Sequence, residues 1–127
     1  MPHADQATID LLTDYFAAIE AKDLTRLGSY CADDITQTFA NAATITGRDA
    51  LLESMATLLA TVKSIAHRLI NVWQEDHGVI IFEAETVWHL HDDTIVRINA
   101  GSIFTIRNGT FTDQRIYVDN TPLDAAR

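Results

Sequence analysis

The sequence is poor in the residues that staple, break or punctuate a chain. One cysteine, two prolines and five glycines occur in 127 residues. A lone cysteine, Cys31, closes no internal disulfide, so the core is held by packing alone, and a reducing compartment is expected. Too few prolines and glycines are present for a flexible linker or a low-complexity tract. Positive charge is also scarce. Nine Lys and Arg stand against eighteen Asp and Glu, a net charge of −9, and the nine are scattered along the chain. Nucleic-acid binding, which needs clustered cations against phosphate, is excluded as an expectation. No apolar run approaches the roughly 18 residues of a membrane span. The opening MPHADQATID is polar where a signal peptide carries a basic and then an apolar stretch, so the cytoplasm is the expected location. No glycine-rich phosphate loop is found, and no cofactor is expected.

What is present is an ordinary globular composition, 47% apolar and 21% charged. The length fits one domain over residues 1–127, with a core of about 7–119 and a tail at 120–127. From Ala7 to Ala21, Leu11, Leu12, Tyr15, Phe16 and Ile19 recur at helical spacing and form one apolar stripe. Asp23 is an N-cap candidate for a short second helix, Leu24 to Tyr30. Asp33-Asp34 should break it, leaving Ile35 to Phe39 as a short strand. Thr46-Gly47-Arg48-Asp49 has the form of a capping box opening a third helix to about Thr61.

The second half reads as four strands, near Lys63–Gln74, Val79–Leu90, Thr94–Ile106 and Thr110–Asp119. Their links are short and turn-rich, and Asn108-Gly109 is a strong hairpin signal because both residues tolerate positive φ. The expected class is α+β: three N-terminal helices forming a cone with a curved, mainly antiparallel sheet, a short strand plus a four-strand meander, around an apolar pocket.

Particular segments carry a family resemblance. DYFAAIEAKDLTRLGSYCADDI resembles the opening helix pair, with "ADD" before the first strand, of the SnoaL-like branch of the nuclear-transport-factor-2-like superfamily. ITGRDALLESM resembles its entry to the third helix, and IRNGTFTDQRIYVDNTPL its closing hairpin. The resemblance implies a small-molecule pocket. The superfamily spans isomerases, dehydratases, epoxide hydrolases, polyketide cyclases and non-catalytic binders, so fold alone assigns no reaction.

Strand alternation divides each strand into two faces. The inward set, which also agrees with the family's pattern, is Ile80, Phe82, Ala84, Thr86 and Trp88, then Ile98, Ala100, Ser102 and Phe104, then Gln114, Ile116 and Val118. Phe39 from the short strand, and Tyr15, Ile19, Met55 and Leu59 from the helices, complete the expected lining. The opposite face, Val79, Ile81 and Val87 around Glu83 and Glu85, suits solvent or a homodimer through the sheet.

Acid–base chemistry in an apolar pocket needs a carboxylate or imidazole with a tuned pKa. The resemblance to ketosteroid isomerase places its tyrosine on Tyr15, its base on Phe39 and its protonated aspartate on Ser102, one match in three. Limonene epoxide hydrolase's polar residues fall on Ala84, Thr86 and Ile116, and none survives. Scytalone dehydratase's aspartate falls on Glu20, one histidine on His67 and the other on Ser102. His67, oriented by Glu20, is therefore the candidate acid or base, and Tyr15 the candidate hydrogen-bond donor. Each has a plainer alternative: His67 as a strand residue facing solvent should a bulge flip its parity, and Tyr15 as a core aromatic. Asp119 is read as a turn or ion-pair residue. His89-Leu90-His91-Asp92-Asp93 could place two imidazoles on one strand face, but a polar hairpin tip explains it and no third ligand is evident, so no metal is expected. Cys31 has no evident base partner. The function expected is binding of a small apolar or aromatic ligand, with cofactor-free isomerisation, cyclisation or dehydration of a flat carbonyl or polyketide-like compound, or binding or dimerisation without catalysis.

Overall fold

The computed structural model describes residues 2–126; the outermost residues of the expected 1–127 domain, Met1 and Arg127, lie outside it. Helix α1, Gln6–Glu20, starts where Asp5 accepts a 2.8 Å bond from the Thr8 amide, and helix α2, Leu24–Ser29, starts where Asp23 accepts from the Arg26 amide. Both caps satisfy amides that the first turn leaves free. The buried face of α1 is the stripe read from the sequence, from Leu12 through Tyr15 and Phe16 to Ile19.

Two local expectations are corrected. The acid pair does not delay the first strand: β1 runs Cys31–Phe39, with Asp33 and Asp34 exposed and a register irregularity between Cys31 and Thr36 absorbing them. Asp33 ion-pairs with Arg48 at 2.6 Å. The capping box does not form. Thr46 belongs to a two-residue strand, β2, Ile45–Thr46, paired with β1, so Gly47 is the N-cap of helix α3, Arg48–Ala60, with no side-chain cap. Gly47 adopts φ 98°, which glycine takes at little cost. After the last strand comes a short helix, α4, Thr121–Ala126, which buries Leu123 completely. Asp119 caps this turn through the Thr121 amide and hydroxyl, the turn role among its two expected ones.

The remaining strands are β3, Ser64–Gln74; β4, Val79–His89; β5, Ile95–Arg107; and β6, Thr110–Val118. They form the expected antiparallel meander, but β6 then pairs in parallel with β1, giving a six-strand sheet of order β2-β1-β6-β5-β4-β3. The fold is an α+β cone whose sheet stays open rather than closing into a barrel. Asn108 and Gly109 turn the β5–β6 hairpin at φ 52° and 77°. At the β3–β4 turn, Gly78 has φ 85°, and a Cβ there would lie 2.3 Å from the Ile106 carbonyl oxygen. The free edge of β3 is covered by the N-terminal residues, through Ala4 N–H to Val72 O and a His3–Trp73 bridge.

Helices α1 and α3 pack on the face of the sheet carried by Phe82, Ala84, Ile98 and Phe104. An aromatic cluster fills the narrow end of the cone: Phe82 meets Phe104 edge-on at 4.8 Å between ring centres, Phe104 meets Phe111 at 5.3 Å, and Tyr15 meets Phe111 at 4.9 Å. Nearer the open end the side chains no longer meet, and a cavity remains.

Candidate functional site

The cavity has a volume of about 390 Å³, within the range of small-molecule sites. Its wall contains every residue expected there except Ile80. Ile80 has the inward parity and is fully buried, but it stands two residues from the Gly78 turn, where β4 has run past the cavity into solid core. The wall also includes residues the sequence reading missed. Gln37 shares a strand face with Phe39, and Ile65 with His67, so alternation alone would have found both. Ala42, Ala43 and Asn120 come from segments with no periodicity to read. Among the described residues, no Asp, Glu, Lys or Arg lines the cavity.

His67 faces inward. It pairs across β3–β4 with Thr86, an inward residue, and the bulge that would have reversed its parity occurs beyond it, between Leu69 and Asn71. Its side chain is only 9% exposed. The imidazole stacks on Phe16, ring centres 4.2 Å apart and planes within 6°. Glu20, the last residue of α1, holds it from behind. One carboxylate oxygen, Oε2, accepts from the His67 backbone N–H at 2.6 Å and lies 3.1 Å from Nδ1. With Nδ1–H donating to Glu20, Nε2 carries the lone pair, and no protein group among the described residues claims it. Burial lowers the His67 pKa below the ordinary 6.5, a shift only partly opposed by the Glu20 carboxylate. The ring is thus a neutral acceptor at neutral pH. Glu20 itself is not part of the wall.

Tyr15 is buried, and its hydroxyl donates to Gln114 Oε1 at 3.3 Å. The same oxygen accepts from Gln37 Nε2 at 2.9 Å. Gln37 and Gln114 are register neighbours across the parallel β1–β6 pair, so the sheet itself sets the two amides side by side. Burial, and secondarily nearby Cys31, raises the Tyr15 pKa, which keeps the phenol protonated. Thr86 Oγ1 is engaged, donating to Ile98 O and accepting from Trp88 Nε1 at 2.8 Å. Ser102, 4% exposed, contributes a hydroxyl on the neighbouring row.

The other candidates lie elsewhere. His91 Nε2 is 3.1 Å from Ala60 O, tying the β4–β5 turn to the end of α3. Among the described residues no three His, Cys, Asp or Glu come together as a metal site. Cys31 is buried, donates to Leu27 O, and has its pKa pushed up to about 11 by burial, the opposite of an activated thiol.

A family model for the SnoaL-like domain matches residues 12–114, most of the chain and nearly all of the cavity wall. The chain belongs to the SnoaL-like family. No curated protein matches it by sequence. Solved structures agree on the fold. A Catenulispora acidiphila protein of ketosteroid-isomerase-like fold, in complex with trimethylamine, is 20% identical, with 91% of this chain and 89% of that one covered and a TM-score of 0.80. A putative SnoaL-like polyketide cyclase from Jannaschia sp. CCS1 is 12% identical over 99% and 96% of the two chains, TM-score 0.80. A Mycobacterium tuberculosis LEH-like epoxide hydrolase is 14% identical over 92% and 86%, TM-score 0.77. At these identities the likeness is one of fold. Within this SnoaL-like cavity, His67 is the one imidazole in the wall among the described residues.

Proposed function

We propose that this SnoaL-like domain binds a small, uncharged, largely apolar molecule in the cone and moves a proton on it without a cofactor, with His67 as the base. The observation that carries the reading is the neutral imidazole of His67, buried against Phe16 and oriented by Glu20, with Nε2 unclaimed at the wall of an apolar cavity. A positioned general base contributes about 10²–10⁴-fold. In the step proposed, Nε2 takes a proton from the carbon beside a carbonyl, electron density moves to the carbonyl oxygen, and the protonated ring, exchanging with solvent, returns a proton at that or a conjugated carbon. Isomerisation, ring closure and dehydration of flat carbonyl or polyketide-like compounds share this opening step. Glu20 positions the ring and stabilises its charge when protonated.

The test is exchange of the α-hydrogens of 2-tetralone in D2O, followed by NMR. Exchange about 100-fold above protein-free buffer, lost in His67→Gln, is the expected result. Exchange no faster with the protein than without it overturns proton transfer and leaves the cavity a binding site. That non-catalytic reading is favoured by one observation, the absence of any carboxylate among the described residues of the wall.

We also propose that a second copy of the chain covers the outer sheet face. Val79, Ile81 and Val87 lie there half-buried, Tyr117 and Ile95 are 59% and 52% exposed, and Glu85 lies within 3.6 Å of both Arg68 and Arg97. A face carrying apolar patches and both signs of charge is able to complement itself about a two-fold axis. The free, buried Cys31 fits a cytoplasmic setting.

A further inference from the structure

Gln114 is fully buried, yet its amide nitrogen Nε2 has no hydrogen-bond partner, alone in this among buried side-chain nitrogens and oxygens of the described residues. Native interiors rarely leave a donor unpaired, because an orphaned buried N–H forfeits its hydration without replacement. The amide is not loosely placed. Its oxygen is held by two donors, Tyr15 Oη and Gln37 Nε2, which commits the carbonyl end and leaves the NH2 end for another partner. Gln114 belongs to the cavity wall, and Phe104 and Phe82, on the same side of the sheet, provide flat apolar surface near it.

We infer that Gln114 Nε2 is the recognition donor for a neutral oxygen acceptor on the ligand, a ketone, quinone or lactone carbonyl, with Tyr15 and Gln37 as the residues that hold it in place. An NH2 group donates only, so it selects an acceptor. A carboxylate ligand is disfavoured because, among the described residues, no cationic side chain lines the cavity to offset its desolvation. This assignment rests on the cavity being the binding site proposed above, and it names the ligand class. Tyr15 therefore acts through Gln114 rather than by giving its own hydrogen to the ligand.

The experiment compares 2-tetralone with tetralin, its hydrocarbon counterpart, and with 2-naphthoate, by calorimetric titration of the full chain. The ketone should bind at least about tenfold more tightly than the hydrocarbon, or about 1.4 kcal/mol, and the carboxylate more weakly than the ketone. In Gln114→Met the ketone preference should vanish while tetralin affinity stays within about twofold. The Gln114 side-chain amide signals of the wild type should shift with 2-tetralone and not with tetralin, which decides the matter if the variant does not fold. Equal affinity for ketone and hydrocarbon, unmoved amide signals, or tighter binding of 2-naphthoate overturns the assignment. Ketone preference without α-hydrogen exchange overturns proton transfer alone. Exchange without ketone preference overturns the Gln114 role alone. Failure of all three probes to bind at millimolar concentration overturns both.

Discussion

His67 is where environment decides chemistry. A solvent-facing histidine between Ala66 and Arg68 would titrate unremarkably; turned inward against Phe16, the ring is held neutral by desolvation. The consequence for stability has a definite sign. The folded-state pKa lies below the unfolded 6.5, so as pH falls past 6.5 the unfolded chain takes up a proton that the folded chain refuses. The stabilising contribution is full above pH 6.5 and is lost progressively toward the lower folded value. Urea unfolding between pH 7.5 and about 5 should therefore show a decline in unfolding free energy that is shallower in His67→Gln. The carboxylates with lowered values, Asp5, Glu75, Asp92 and Asp119, respond only in more acid solution. Parallel declines in the two proteins would mean His67 is not buried as a neutral ring. That His67 faces the cavity was legible only conditionally. Alternation placed it inward if the strand ran straight, and the sequence around Leu69–Asn71 carries no glycine or proline to show on which side of His67 the bulge falls.

At the scale of elements, local signals were reliable where one segment settled its own fate. The Asp23 cap and the Asn108-Gly109 hairpin formed because each is satisfied within a few residues, and the α1 stripe because its helical spacing is set within the segment. They failed where a distant strand competed. Thr46 could have capped α3, but β1 recruits it into β2, and a parallel partner for β1 supplied by β6 extends the strand through an acid pair that would otherwise end it. Two substitutions separate the caps. Asp5→Ala should lower the urea unfolding midpoint by removal of the bond to the Thr8 amide, whereas Thr46→Ala should leave it nearly unchanged. A loss at Thr46 equal to that at Asp5 would restore the capping box. Gly78→Ala should cost more than either, about 1–3 kcal/mol from the positive φ, with the clash against Ile106 O adding to it.

For the molecule as a whole, the cone was readable because helices followed by long amphipathic strands leave few alternatives, and side-chain parity then placed the β4, β5 and β6 residues of the cavity wall. Ile80 shows the limit of that reasoning: parity tells which face a residue occupies, not where along the strand the cavity ends. Nor does parity reveal how polar atoms inside pair with each other. The Tyr15–Gln114–Gln37 cluster depends on the parallel β1–β6 register, which no local segment encodes. The outer face bears on assembly. Light scattering at micromolar concentration should give twice the 14.1 kDa chain mass, and Tyr117→Glu with Ile81→Glu should return it to one. A monomeric mass for the unaltered chain would remove the sheet-mediated pairing and leave the cavity untouched.

The proposal that the cone is a site of proton transfer comes down to whether the His67 ring senses what occupies the cavity. Titration of the His67 ring signals by NMR, with and without saturating 2-tetralone, tests this most directly. A pKa below 6.5 is expected in the free protein, shifted further when ligand displaces solvent from Nε2. A pKa at the ordinary value, unchanged by the ketone while the ketone demonstrably binds, would contradict it.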